Sequence, residues 1–338
     1  MRKPWLYNDF PFYVIFYIMN DYIGFDIGGT KCAVVAARAD WANDACTIVA
    51  RKQIATERVP WQKTLDALIA AAKHIIAEHS LYPAAAGISC GGPLDEKAGL
   101  VMSPPNLPGW DAAPVTEYIS ERLSVPAFLQ NDANACTVAE WKFGAGKGTR
   151  NLIFLTFGTG LGAGLILDGR LYEGANGLAG EAGHIRLAEN GPLGYGKFGS
   201  FEGFCSGGGI ARLGQSMVSD AKKSGERSVL LSMRGEELSA KTIAEAADSG
   251  DKLARRIYAR SGEYLGRGLA LLIDLLNPEC IVIGSIFARS ENLLRPSMEC
   301  AIEREALEVP RKSCRIVPAA LGNAIGDYAA IAAACKKG

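Results

Sequence analysis

Five short segments of the sequence carry side chains whose types and spacing suit phosphoryl transfer. The first is Asp26-Ile27-Gly28-Gly29-Thr30-Lys31. Glycines lack a β-carbon, so backbone N–H groups there can close around phosphate oxygens. Thr30 adds a hydroxyl donor, Lys31 adds a charge unless it points to water, and Asp26 could hold Mg²⁺ through water. The second segment, 156–164, repeats the pattern with Gly158-Thr159-Gly160 at its tip. One such turn reads as readily as an ordinary hairpin. Two, each with a threonine at the tip, suit a nucleotide whose phosphates are gripped from both sides. Neither is a GxxxxGK(S/T) phosphate loop. Neither is a dinucleotide fingerprint, because the glycines open a returning strand instead of a helix.

The third segment is Gln130-Asn131-Asp132-Ala133-Asn134, at the junction of a strand and a helix. Asp132 there could accept a proton from a hydroxyl as phosphate transfers, where positioning counts for more than basicity. A helix N-cap is the competing role. The fourth is Glu181-Ala182-Gly183-His184, a carboxylate and an imidazole three residues apart. Metal ligation, sugar-hydroxyl binding and a satisfied buried histidine compete for His184. The fifth, 103–110, is a stiff Pro-rich loop. Asn106 could bond a sugar with Trp110 packed beneath it, or the loop is a connector around a core tryptophan.

The elements that position these residues follow from periodicity. Strands are expected over 22–27 and 32–36, joined by the first glycine turn as a hairpin. A second hairpin is expected over 151–157 and 162–167. Apolar spacing of three and four predicts a helix over 64–79, with others over 113–123, 133–143, 242–248 and 253–276. Strands are also expected over 86–89, 127–129 and 280–284. The glycine-rich stretch 169–209 reads as a long functional loop, and 326–335 as a small-residue helix. Two hairpins that each open a set of alternating strands and helices imply two similar lobes around a cleft. The expected division is 22–135 for the first lobe and 136–321 for the second, with the helix at about 322–338 returning to the first.

Composition narrows the function. The chain has 338 residues, and its formal net charge is zero. There is no basic surplus for nucleic acid or an anionic membrane. Nine scattered cysteines without a CxxC pair read as free thiols in a reducing compartment, hence a cytoplasmic protein. The aromatic run 11–18 is too short to span a bilayer and lacks a cleavage site. Residues 1–21 are read as an N-terminal extension, with Met19 an alternative natural start.

Taken together, these motifs resemble the ROK family (repressors, open reading frames and kinases), which includes glucokinases and N-acetylhexosamine kinases. The likeness runs from about residue 22 to the C-terminus. It includes both glycine hairpins, Gly91-Gly92-Pro93, Asn131-Asp132-Ala133-Asn134, Glu181-x-Gly183-His184 and Asn277-Pro278-Glu279 leading to Gly284. The resemblance implies a two-lobed, actin-like, ribonuclease-H-like α/β fold with its active site between the lobes. It implies a homodimer using ATP and Mg²⁺, with Asp132 as general base. Gly91, Asn106, Asn131, Glu181, His184 and Glu202 would hold the sugar. Phosphates would lie against Gly28 to Thr30 and Gly158 to Gly160, and adenosine near Gly208 and Gly284.

Two departures stand out. Family members carry a CxCGxxGCxE segment whose cysteines, with the histidine, bind structural zinc. Here Leu193, Tyr195 and Ser200 replace those cysteines, so no structural zinc is expected, although Glu202 remains. Ser285 stands where a second glycine is usual. The expected activity is phosphorylation of a hexose hydroxyl, the 6-hydroxyl of glucose first. Mannose, fructose, N-acetylmannosamine and N-acetylglucosamine remain open, as does polyphosphate as donor. The competing class is a non-catalytic sugar-sensing regulator. A DNA-binding domain ahead of the first hairpin would need several dozen residues, and 25 aromatic-rich ones precede Asp26.

Overall fold

The computed structural model describes residues 19–57 and 59–335. The aromatic run 11–18 lies outside the described residues. Asn20 and Asp21, read as the end of the extension, instead begin the first strand, paired with Ala39 and Arg38.

The first lobe runs β1 (Asn20–Ile27), β2 (Lys31–Asp40), β3 (Ala45–Ala55), α1 (Trp61–Glu78) and β4 (Pro83–Cys90). It continues through the short pair β5 (Leu94–Asp95) and β6 (Leu100–Val101), then α2 (Val115–Leu123), β7 (Ala127–Asn131) and α3 (Asp132–Phe143). Its sheet has the order β3-β2-β1-β4-β7; β1 to β3 form an antiparallel meander and β1, β4 and β7 run parallel. The second lobe opens with β8 (Leu152–Leu155), β9 (Ala163–Leu167) and β10 (Arg170–Leu171), followed by the pair β11 (Leu193–Gly194) and β12 (Lys197–Phe198). Then come α4 (Phe201–Phe204), α5 (Gly207–Ser224), α6 (Ala240–Asp248), α7 (Lys252–Leu276) and β13 (Cys280–Ile283). The chain closes with α8 (Ile286–Glu305), α9 (Glu308–Ser313), β14 (Arg315–Pro318) and α10 (Ile325–Ala333).

The second sheet, β10-β9-β8-β13-β14, repeats the order and strand directions of the first. One topology used twice gives the two-lobed, actin-like architecture. The β8–β9 turn and the β7–α3 junction both border the cleft between the lobes.

Each lobe has its own core. Phe25, Ile88, Leu65 and Trp110 are buried in the first, and Phe157, Phe201, Leu265 and Phe287 in the second. The last helix, α10, crosses back to pack on β1 and β4. Close approach there requires glycine: a β-carbon on Gly24 would come within 2.8 Å of Ala330, and one on Gly87 within 2.1 Å of the Ala330 carbonyl. Helix α3 joins the lobes, packing on α10 through Ala135, Ala139, Ala329 and Ala332 and also against β8 and β9. Within its last turn the fully buried Glu140 accepts N–H groups from Ala145, Ala320 and Leu321 at 2.8–3.2 Å. That carboxylate fixes both chain crossings between lobes at one point.

Candidate active site

A cleft of about 1120 Å³ lies between the lobes, lined by residues 91–97, 131–134, 173–181, the second glycine turn, His184, Tyr195 and Glu202. Asp132 faces it. The capping role that competed for Asp132 falls to its neighbour: Asn131 Oδ1 accepts N–H groups from Ala133 at 3.0 Å and Asn134 at 3.4 Å. Asp132 is the first residue of α3, and its Oδ1 accepts the Ala133 N–H at 2.8 Å. Its other oxygen points at Gly91. A β-carbon there would sit 3.6 Å from Asp132 Oδ2 and 3.9 Å from Asn106 Nδ2. Carboxylate and amide thus converge on one spot of the cleft floor. The Asn131 amide nitrogen, 3.7 Å from a β-carbon position on Gly92, stays on the cleft side. Asp132 is open to cleft water yet walled by protein. That loss of solvation raises its pKa above the ordinary carboxylate value, and the Ala133 N–H opposes the rise.

The first glycine turn is braced from β3. Thr56 Oγ1 donates to Gly28 O at 2.6 Å, its N–H donates to Thr30 O at 3.1 Å, and the Cys32 thiol lies 3.2 Å from its hydroxyl. Gly29 admits no side chain, because a β-carbon would fall 2.3 Å from Asn106 O. The 103–110 loop therefore packs directly on the turn. Thr30 and Lys31 are exposed. Asp26, at the end of β1, has its carboxyl pushed up to about 6, first by removal from water and then by the charges of Asp327 and Asp132. Arg51 and Lys31 oppose this, and Arg51 Nε also donates to Asp327 Oδ1 at 2.8 Å.

The second turn is held differently. Gly162 N–H donates to Thr156 Oγ1 at 2.9 Å, and Leu161 N–H donates to Glu202 Oε2 at 3.0 Å. Behind it, Gly207 N–H donates to Gly158 O at 2.8 Å, bringing the start of α5 and Gly208 against the turn. Gly284 follows β13 and donates to Leu155 O at 2.9 Å. Ser285 has φ 54° and ψ −105°, a region that favours glycine, and its hydroxyl abuts Gly158.

The structure gathers Gly91, Asn131, Asp132, Gly158 to Gly160, Glu181, His184 and Glu202 on the cleft lining. Asp26, Gly28 to Lys31, Asn106, Gly208 and Gly284 lie outside that lining. Trp110 of the 103–110 loop is fully buried in the first core. Residues that sequence reasoning missed include Thr56, Glu140, Tyr195 and Lys197. The β-branched Thr47, Ile48, Val49, Ile54 and Thr56 could have signalled β3. Glu140, inside a helix, gives no local signal.

Among the described residues, no group of three or more His, Cys, Asp or Glu is arranged to hold a metal ion. None of the helices there is long and apolar enough to cross a membrane.

Comparison with known proteins is consistent across sequence and structure. The ROK family model matches residues 22–336. A glucokinase of Halalkalibacterium halodurans is 32% identical over 90% of this chain and 92% of its own length. The regulator NagC of Escherichia coli, a DNA-binding transcriptional dual regulator, is 32% identical over 66% of this chain and 54% of its own length. A ROK family glucokinase from Streptomyces griseus, solved in complex with glucose and AMPPNP, superposes with a TM-score of 0.71 at 29% identity. That match covers 95% of this chain and all of the other. The chain belongs to the ROK family.

Proposed function

We propose that this ROK family member is a sugar kinase that transfers the γ-phosphoryl group of Mg-ATP to a hexose hydroxyl, with Asp132 as general base. The observation that carries the reading is the convergence of Asp132 Oδ2 and Asn106 Nδ2 on the Gly91 floor, beside the second glycine turn. Asp132 takes the proton of the attacking hydroxyl, the hydroxyl oxygen bonds to the γ-phosphorus, and the bond to the β-phosphate oxygen breaks to release ADP. A pKa raised by its surroundings makes that carboxylate a stronger base than a free one. Glycine-turn N–H groups meet phosphate oxygens from either side. Asn131, Glu181, His184 and Glu202 bind sugar hydroxyls, so analogues lacking them are rejected. Mg²⁺ would neutralise phosphate charge, and Asp26 would hold it through water. The negative charge gathered by Asp26, Asp132 and Asp327 suits a cation there.

Glucose is the first substrate to test, supported by the glucose-bound S. griseus relative. N-acetylmannosamine and N-acetylglucosamine are the alternatives. A non-catalytic sugar sensor is the second reading, favoured by the NagC likeness. The intact Asp132 and both glycine turns weigh against it. The test is ADP release with Mg-ATP across hexoses and N-acetylhexosamines, beside Asp132→Asn. Turnover on one sugar, falling about 10²–10⁴-fold in the variant while ATP still binds, is the expected result. Sugar binding without any sugar-dependent ADP release would favour the sensor.

A further inference from the structure

The loop bearing His184 would need zinc thiolates in a typical family member, and the donor set here does not fit that metal. Leu193, Tyr195 and Ser200 stand at the three positions. The nearby Cys205 is fully buried and donates its thiol to Ser261 O. A cation already occupies the neighbourhood: Lys197 Nζ donates to His184 O at 2.7 Å. An ammonium group against that carbonyl repels a second cation.

The hairpin β11–β12 is closed by a two-residue turn, Tyr195 at φ 44° and Gly196 at φ 77°, between the paired Gly194 and Lys197. Positive φ at both central positions is the form that favours Asn-Gly. Tyrosine is a costlier choice there than asparagine or glycine. Its ring meets the His184 ring edge-on, centroids 4.9 Å apart at 75°, and remains 73% exposed on the cleft wall. Behind the hairpin, the fully buried Ser200 donates to Gly194 O at 3.2 Å and accepts the Gly203 N–H at 3.0 Å. Arg186 Nη1 donates to Phe198 O at 2.8 Å. Two of the three positions that carry cysteines in the family are thus taken, one by an aromatic edge on His184 and one by hydrogen bonds.

We propose that Tyr195 and Lys197 are positioning residues that hold His184 toward the sugar without a metal ion, one gripping its ring and the other its carbonyl. This rests on the sugar-kinase reading, so the experiment pairs a kinetic and a non-kinetic readout. The kinetics use the sugar that the wild-type protein turns over fastest among glucose, mannose, N-acetylglucosamine and N-acetylmannosamine. Tyr195→Ala and Lys197→Met should each raise the sugar KM about tenfold, with kcat and the ATP KM within about twofold. Tyr195→Phe and Lys197→Arg should restore wild-type behaviour. In proton NMR, the histidine signal lost in His184→Gln should move in Tyr195→Ala and hold in Tyr195→Phe, with the thermal midpoint within about 3 °C. Should Tyr195→Ala fail to fold, Tyr195→Leu keeps the bulk without the ring edge and should give the same shifts. Purified protein should carry no stoichiometric zinc and keep its activity and midpoint with a zinc-selective chelator. An unmoved His184 signal with unchanged sugar KM in the Ala and Met variants would overturn the proposal, as would zinc whose removal lowers the midpoint. If no sugar is turned over, the kinase reading fails, while the NMR and metal content still decide the clamp.

Discussion

The two glycine turns look alike in sequence and are supported in opposite ways. The first is braced within its own lobe by neutral groups: the Thr56 hydroxyl and N–H, and the Asn106 backbone against Gly29. The second hangs on a charged group from the proposed sugar side, Glu202, which takes the Leu161 N–H at 3.0 Å. Glu202 sits one residue inside α4, whose cap is Ser200, the residue that also closes the His184 hairpin. On the proposed reading, the first turn is a fixed half of the phosphate grip. The second is mechanically tied to the loop proposed to read the sugar. A fixed jaw against a substrate-coupled jaw suits an enzyme that must avoid transferring phosphate to water.

The largest effect should come from cutting the coupled jaw. Glu202→Ala removes the proposed sugar contact and leaves the Leu161 N–H unpaired, which costs about 1–3 kcal/mol. Both the sugar KM and the ATP KM should rise, each about tenfold or more. Glu202→Gln keeps an acceptor and should restore much of the ATP KM but less of the sugar KM. If Glu202→Ala raises the sugar KM alone, the two sites are not coupled through this carboxylate and the contrast between the turns collapses.

That contrast shows what the sequence carried and what it did not. Both hairpins, α3 and the Asn131-Asp132 junction were legible because they rest on local chemistry, namely glycine turns, strand alternation and a cap. Even so, the cap fell to Asn131 instead of Asp132, a choice made by one residue of register. The supports were not legible because they come from far along the chain. Thr56 reaches the first turn only after β3 pairs with β2, and β3 was hidden by its exposed Arg51, Lys52 and Gln53. The stretch 169–209 read as loop because its glycines are poor helix formers. Yet Gly207-Gly208-Gly209 opens α5, with Ser206 Oγ accepting the Gly209 N–H at 2.9 Å. A β-carbon on Gly209 would lie 2.3 Å from Gly203 O, so packing on α4 demands glycine there and overrides propensity. The long helix α8 was missed for a similar reason: Pro296 and a kink at Ser290 interrupt its pattern.

A second asymmetry is the acid under the first turn. Asp26 closes β1, whereas the matching place after β8 holds Thr156. Burial and neighbouring acids raise the Asp26 pKa from 3.8 to about 6. Below about pH 4 the group is protonated in folded and unfolded chains alike. Between about 4 and 6 the folded chain binds more protons than the unfolded one, so stability falls as pH rises through that window. Above it the charge costs on the order of 2 kcal/mol, a figure lowered here for partial exposure. Asp26→Asn should therefore raise the thermal midpoint at pH 8 and leave it nearly unchanged at pH 4. The same variant should weaken Mg-ATP binding at pH 8, because the wild-type carboxylate is then charged and available to the cation. In the wild-type protein, Mg-ATP affinity should decline as pH drops through about 6. A flat profile, or a variant less stable at pH 8, would show that Asp26 is not the strained acid of the fixed jaw.

The smallest effect tests the fixed jaw itself. Thr56→Val deletes the hydroxyl that donates to Gly28 O at 2.6 Å but keeps shape and β-branching. The Gly28 carbonyl retains the Cys32 thiol at 3.5 Å, a weak donor, so the turn loosens without losing every partner. A neutral hydrogen bond of this kind is worth about 1 kcal/mol, which predicts about a fivefold weaker ATP Kd by calorimetry. The sugar Kd should stay within about twofold, because nothing in this brace reaches the His184 loop. That separation is the sharp form of the comparison. Loosening the first turn should be felt by the nucleotide alone, while loosening the second should be felt by both substrates. If Thr56→Val weakens sugar and nucleotide equally, the cleft closes as one rigid unit and the division into a fixed and a coupled jaw is wrong.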